Sequence, residues 1–205
     1  MKILAIDTTR KSAKIFLVNG KINKVHSLKD EEKQSEFLMI NIDNFLKHNS
    51  LTLSDLDVFG VITGPGSFTG IRVGIATIKA FSYALKKNIV NATVFDIVKD
   101  KVDNGVFLTE CTSSSYYFAD IFDGEIVKTG VIDKKDLGTI NKDIYVLEEE
   151  HILDSEAYKL NVLKDYSNLC FNKFMQLAQK KDFQSPEPYY IQTSQAERNL
   201  EKKND

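Results

Sequence analysis

Seven residues, Gly64, Pro65, Gly66, Ser67, Phe68, Thr69 and Gly70, make a glycine-rich run between a short apolar stretch and a longer helical pattern. A loop of this kind lets backbone N–H groups meet an anion at a helix N-terminus, which is phosphate chemistry. The spacing departs from both familiar phosphate loops. A P-loop needs Lys and then Ser or Thr after its last glycine, and here Ile71 and Arg72 follow Gly70. A dinucleotide fingerprint needs glycine at position 69, where Thr stands. The other reading is a tight turn that packs the next helix against a sheet. Asp7, Thr8 and Thr9 close the first apolar run. In actin-like kinases an acid at such a place is followed by glycine and a hydroxyl residue facing nucleotide phosphates; here that glycine is missing. Asp7 could hold Mg²⁺ through water, or Asp7 and Thr9 could cap the turn.

The remaining reactive side chains are sparse. His26, His48 and His151 have no partner at i+4, so no helix carries an H-x-x-x-H metal pair. No Ser-His-Asp or Cys-His pair follows from spacing, and Glu148 to Glu150 read as a solvated face. No catalytic residue and no metal or cofactor site is assigned. Cys111 and Cys170 read as reduced core fillers. A net charge of −2, with Arg10, Arg72 and Arg198 the only arginines among 27 basic residues, argues against strong binding of nucleic acid by the chain alone. There is no signal peptide and no apolar stretch near 18 residues, which points to a cytoplasmic protein.

The elements that must position these residues are α/β in pattern. Strands are expected at 2–7, 13–18, 22–28, 58–63 and 89–94, with a hairpin turn at Asn19-Gly20. Helices are expected at 30–48, with Asp30 as N-cap, and at 71–87, with 64–70 as a loop between strand and helix. The order strand, strand, strand, helix, strand, helix, strand implies a mixed sheet with helices packed on it. Beyond a boundary near 95–104, strands at 106–109, 116–122, 125–132 and 144–147 precede a helix at 166–180. The sequence shows no internal repeat. A charged tail, 197–205, closes the chain.

The helix at 71–87 carries more apolar surface than one sheet can cover. Its polar residues Arg72, Lys79, Tyr83 and Lys86 form a narrow stripe on a 100° wheel. In the first helix Leu38, Met39, Ile42, Phe45 and Leu46 make one face, with Phe37 and Ile40 off it. The sheet is expected to claim Ile71, Ile75, Ile78 and Leu85. That leaves Val73, Ala76, Thr77 and Ala80, flanked by Arg72 and joined by Phe37 and Ile40, as an association surface. The alternative is burial of these positions under a second domain. A self-complementary patch of this kind would join two copies in a homodimer when the chain is alone.

Two segments, Lys2-Ile-Leu-Ala-Ile-Asp-Thr-Thr9 and Thr63-Gly-Pro-Gly-Ser-Phe-Thr-Gly-Ile-Arg-Val-Gly-Ile-Ala76, resemble the TsaB (formerly YeaZ) family. The likeness covers residues 1–95, fades to spacing, and returns faintly at Pro188-Tyr189-Tyr190. It implies two actin-like (ASKHA, RNase H-like) domains at 1–97 and 98–188, the second reduced, with a tail at 189–205 packing back on the first. It implies a non-catalytic scaffold of the bacterial machinery that makes N6-threonylcarbamoyladenosine in the tRNA anticodon loop. The implied partners are the paralogous transferase TsaD, bound through the first-domain helices, and the ATPase TsaE, with tRNA met only through the complex. The family's His-Ser or His-Thr pair is replaced by Lys33-Gln34. Its Asp-Ala-Arg is replaced by Glu110-Cys111-Thr112, and its Tyr-Leu-Arg by Tyr190-Ile191-Gln192. The competing readings are an actin-like small-molecule kinase or ATPase, and a peptidase, an older label in the family. The missing glycine after Asp7 counts against the first, and the missing nucleophile–base pair against the second.

Overall fold

The computed structural model describes residues 1–28, 34–148 and 158–192, with the backbone alone at 34 and 35. Asp30, Lys33, Glu149, Glu150, His151, Arg198 and the tail at 197–205 lie outside the described residues. Ten strands and four α-helices are found among the described residues: β1 (Lys2–Asp7), β2 (Lys14–Asn19), β3 (Ile22–Ser27), α1 (Gln34–His48), β4 (Val58–Ile62), α2 (Phe68–Leu85), β5 (Asn88–Ala92), α3 (Val94–Val98), β6 (Asn104–Thr112), β7 (Ser115–Phe122), β8 (Glu125–Asp133), β9 (Ile144–Leu147), β10 (Leu160–Leu163) and α4 (Tyr166–Gln179).

The strands form two mixed five-stranded sheets, ordered β3-β2-β1-β4-β5 and β10-β9-β6-β7-β8. In the first, β1 pairs antiparallel with β2 and parallel with β4. In the second, β6 pairs antiparallel with β7 and parallel with β9. Read from the central strand outward, the two sheets have the same order and the same strand directions. The two halves thus repeat one strand arrangement. The copies differ in their crossovers. Between β4 and β5 lie 25 residues (63–87), most of them α2; between β9 and β10 lie 12 (148–159). The counterpart of α1 is a 3-10 segment, Lys134–Thr139. The second half is therefore the reduced one.

The sequence explains the layering. β1 and β4 are continuous apolar runs because both faces of their sheet are covered. On one face Leu4, Ile6, Ile15, Leu17, Phe59 and Val61 pack with Leu38, Ile42 and Leu46 of α1 and with Ile71, Ile75 and Ile78 of α2. On the other face Ile3, Ala5, Phe16 and Val18 meet α3 and α4, and the same cluster takes in Phe107, Ala119 and Ile121 of the second sheet. Thus α3 and α4 lie between the two sheets. The turn Asp123-Gly124, with both φ positive, is a two-residue hairpin loop.

Four expectations need correction. The helix expected at 71–87 begins at Phe68, so Phe68, Thr69 and Gly70 are its first turn and not loop. The Ser67 hydroxyl caps it by accepting from the Gly70 N–H at 3.1 Å. The strand expected to reach Val94 stops at Ala92, because Thr93 and Asp96 form a capping box that starts α3. The strand β10 was not expected; with four residues it carries too little periodicity to read. Met39, assigned with the buried face of α1, is 51% exposed. Leu38, Ile42 and Leu46 supply that face instead.

Candidate functional site

The first strand ends in a buried carboxylate. Asp7 is 1% exposed. Its Oδ1 accepts from the Thr9 N–H at 2.9 Å and the Thr9 hydroxyl at 2.6 Å. Its Oδ2 accepts from the Tyr166 hydroxyl at 2.8 Å, and Arg10 Nε lies 3.6 Å from the same oxygen. The Arg10 guanidinium also sits over the Tyr166 ring, 4.5 Å from its centroid. Tyr166 opens α4, where Asp165 caps the helix by accepting from the Asn168 N–H. Burial, followed by the negative charge of Asp7, pushes the Tyr166 phenol well above its ordinary value. It stays a neutral donor. Asp7 is thus held by groups of this chain on both oxygens, and the space in front of it holds a tyrosine ring.

The glycine-rich loop is closed on itself in the same way. The Ser67 N–H donates to the Thr9 carbonyl at 2.7 Å. The Thr8 hydroxyl donates to the Gly70 carbonyl at 2.7 Å. A Cβ at Gly66 would overlap the Thr9 carbonyl oxygen, and one at Gly70 the Thr8 carbonyl oxygen. These glycines let α2 and its entry loop lie directly on the end of β1. Asp7, Thr8, Thr9 and the loop Gly64, Pro65, Gly66 and Ser67 are therefore brought together, in an arrangement that packs a helix against a sheet.

A third group converges on the same end of α2. The segment at 184–190 runs along the helix. The Gln184 N–H donates to the Ile89 carbonyl at 3.1 Å, and the Tyr189 N–H to the Thr63 carbonyl at 2.9 Å. This covers part of the outer edge of β5. The Tyr190 ring stacks on Phe68 with centroids 4.2 Å apart. Arg72 lies over the other partner of that stack, 4.2 Å from the Phe68 centroid, and its Nε donates to the Tyr190 hydroxyl at 2.9 Å. Lys79 Nζ meets Glu187 Oε1 at 2.9 Å. This strap was not read from the sequence beyond Pro188-Tyr189-Tyr190, because its partners lie about 60 to 126 residues away.

The helix faces divide as follows. Ile71, Ile75 and Ile78 are buried against the sheet and Leu85 is half-buried. Ala76 and Ala80 are exposed, while Val73 and Thr77 are half-buried, Val73 packing against the core under α1 and α2. Phe37 is 38% and Ile40 56% exposed on α1. Tyr83, read as part of a polar stripe, is 90% exposed and adds an aromatic ring to this surface. The two helices α1 and α2 are in contact. Cys170 is buried, but Cys111 is only half-buried beside Gln192, which corrects its reading as a core filler. The His26 ring hydrogen-bonds Asn41 at 2.9 Å and stacks on Phe45. That is a packing role between β3 and α1. His48 contacts the Asn44 carbonyl.

The comparisons with known proteins divide along the chain. The family profile described as "TsaD: tRNA N6-adenosine threonylcarbamoyltransferase" matches residues 29–95. The tRNA threonylcarbamoyladenosine biosynthesis protein TsaB of Buchnera aphidicola subsp. Schizaphis graminum is 32% identical over 101 residues, 48% of this chain and 47% of that protein. TsaB of Escherichia coli is 36% identical over 76 residues, 37% of this chain and 32% of that protein. The matched region thus spans about half the length, or less, of these curated relatives. Among solved structures, YeaZ from Pseudomonas aeruginosa has a TM-score of 0.65 at 15% identity, covering 93% of this chain and 99% of that one. A second Pseudomonas aeruginosa structure, an uncharacterized protein with similarity to peptidase YEAZ, has a TM-score of 0.66 at 14% identity over the same shares. The fold is accordingly that of these two structures, with two helix-flanked mixed sheets, the second half reduced.

Proposed function

We propose that this chain, a member of the TsaB (YeaZ) family, is the non-catalytic scaffold of threonylcarbamoyladenosine synthesis in tRNA. It acts as partner and activator of a TsaD-type transferase, with a TsaE-type ATPase joining the pair. Residues 1–97 form the domain that carries the partner helices. Residues 98–188 form the reduced second domain, whose last residues, with Tyr189 and Tyr190, return to the first. The work is cytoplasmic, and tRNA is met through the complex.

The observation that carries the reading is the state of Asp7. An actin-like enzyme needs this acid and the adjoining loop open to a nucleotide and its metal. Here the carboxylate is engaged by Thr9, Tyr166 and Arg10. A metal ion at Asp7 would have to displace a buried phenol and break these bonds, each worth about 1.5–3 kcal/mol to a charged group. The loop N–H of Ser67 is spent on Thr9. Among the residues that α1 and α2 leave exposed are Phe37, Ile40, Ala76, Ala80 and Tyr83, the apolar and aromatic part of the outer surface. The family profile that matches 29–95 is a transferase's, so a paralogue would present an equivalent helix pair to this face.

The test is reconstitution. Purified chain with ATP and Mg²⁺ is expected to show no hydrolysis above background. With the TsaD and TsaE proteins of the same organism, threonylcarbamoyl donor and tRNA, modified adenosine should form only when the chain is present. Robust ATP turnover by the chain alone, abolished by Asp7→Ala, would overturn the scaffold reading.

A further inference from the structure

Two long cationic side chains stand beside the exposed alanines of α2, and both are drawn to one side. On a 100° wheel Arg72 and Lys79 lie within about 20° of each other, and Ala76, Tyr83 and Ala80 occupy the adjoining sector. A long basic side chain left free on a helix lies down over its neighbours and covers their apolar surface. Neither does so here. Arg72 folds back toward the helix N-terminus over the Phe68 ring, and its Nε is held by the Tyr190 hydroxyl at 2.9 Å. Lys79 is held by Glu187 at 2.9 Å. Both partners belong to the strap at 184–190. The strap itself is fixed independently of them, by the backbone bonds of Gln184 to Ile89 and of Tyr189 to Thr63, and by the burial of Pro186.

We propose that the strap is a positioning device for the docking face: Glu187 and Tyr190 park Lys79 and Arg72 away from Ala76 and Ala80. The face then meets its partner clear of these two basic side chains, whose rotamers are already fixed. The inference rests on the proposed association with a transferase helix pair and adds to it the part that prepares the surface. Without the strap contacts, each basic side chain must be cleared from the face at the moment of binding, and its rotamer freedom is then lost. Glu187 and Tyr190 therefore act through Lys79 and Arg72. They are positioning residues rather than contacts with the partner.

A double-mutant cycle on the full chain tests this. One arm is Glu187→Gln with Tyr190→Phe, which removes the ion pair and the hydroxyl and keeps the stacked ring. The other is Arg72→Ala with Lys79→Ala, which removes the side chains that need parking. The probe is affinity for the purified TsaD protein of the same organism, with thermal unfolding as the control on the fold. The strap pair is expected to weaken binding about tenfold when Arg72 and Lys79 are present. In the background lacking both, it should change binding less than about twofold. An equal loss in both backgrounds, or no loss in either, would overturn the inference alone. A wild-type chain that binds no transferase would overturn the scaffold reading, and this inference with it.

Discussion

At the scale of single residues, Asp7 was legible as a notable acid at the end of a strand, and the sequence left open whether it served a metal or a turn. The structure adds Tyr166, 159 positions away, whose hydroxyl donates to it at 2.8 Å. Tyr166→Phe removes a buried bond to a carboxylate and should lower stability by about 1.5–3 kcal/mol, read by urea denaturation. A pH series gives a second check. The folded-state phenol titrates well above its ordinary value near 10, with burial the main cause. The folded protein therefore keeps a proton that the unfolded chain loses above that pH. The stabilisation is full below pH 10 and is lost at up to about 1.4 kcal/mol per pH unit as pH rises beyond it. The gap between wild type and Tyr166→Phe should narrow between pH 9 and 11. A gap that stays constant over that range would mean Tyr166 is not shielded as described.

At the scale of elements, α2 was recognisable from its apolar period, but its start was not. Three residues that look like loop by composition are its first turn, because Ser67 caps there and the end of β1 requires close approach. Gly70→Ala would drive a methyl group into the Thr8 carbonyl oxygen. A loss of about 3 kcal/mol or more is expected, seen as a lowered unfolding midpoint, or no folded protein at all. The outer face behaves oppositely. Ala76 and Ala80 are exposed, so Ala76→Arg should shift stability by no more than about 0.5 kcal/mol. It should nevertheless abolish association with the transferase, because an anchor at the centre of an interface costs about 2 kcal/mol or more when disrupted. Calorimetric titration of the variant reads this directly. Unchanged affinity in a folded variant would show that the face is not the docking surface.

For the whole molecule, a net charge of −2 with three arginines offers little phosphate attraction. The isolated chain should bind tRNA weakly, and sub-micromolar affinity in a filter-binding assay at physiological salt would contradict that. The sequence by itself determined the five strands of the first sheet and its two long helices, and singled out Asp7 and the glycine-rich loop without bringing them together. Strands such as β1 are signalled by local runs, and helices by their own period. In the second half it placed β6 to β9 and α4, but not β10, which has four residues, nor the 3-10 segment that stands in for α1. The repeated arrangement of the two sheets came only from the family resemblance and not from any internal repeat, because sheet order is fixed by which edges meet and not by which residues repeat. Tertiary structure alone decided the fate of the site. Tyr166 reaches Asp7, and the strap reaches Arg72 and Lys79, across 159, 118 and 108 positions. Contacts at such separations have no local signature; they exist only once α4 and the strap have been laid on the first sheet.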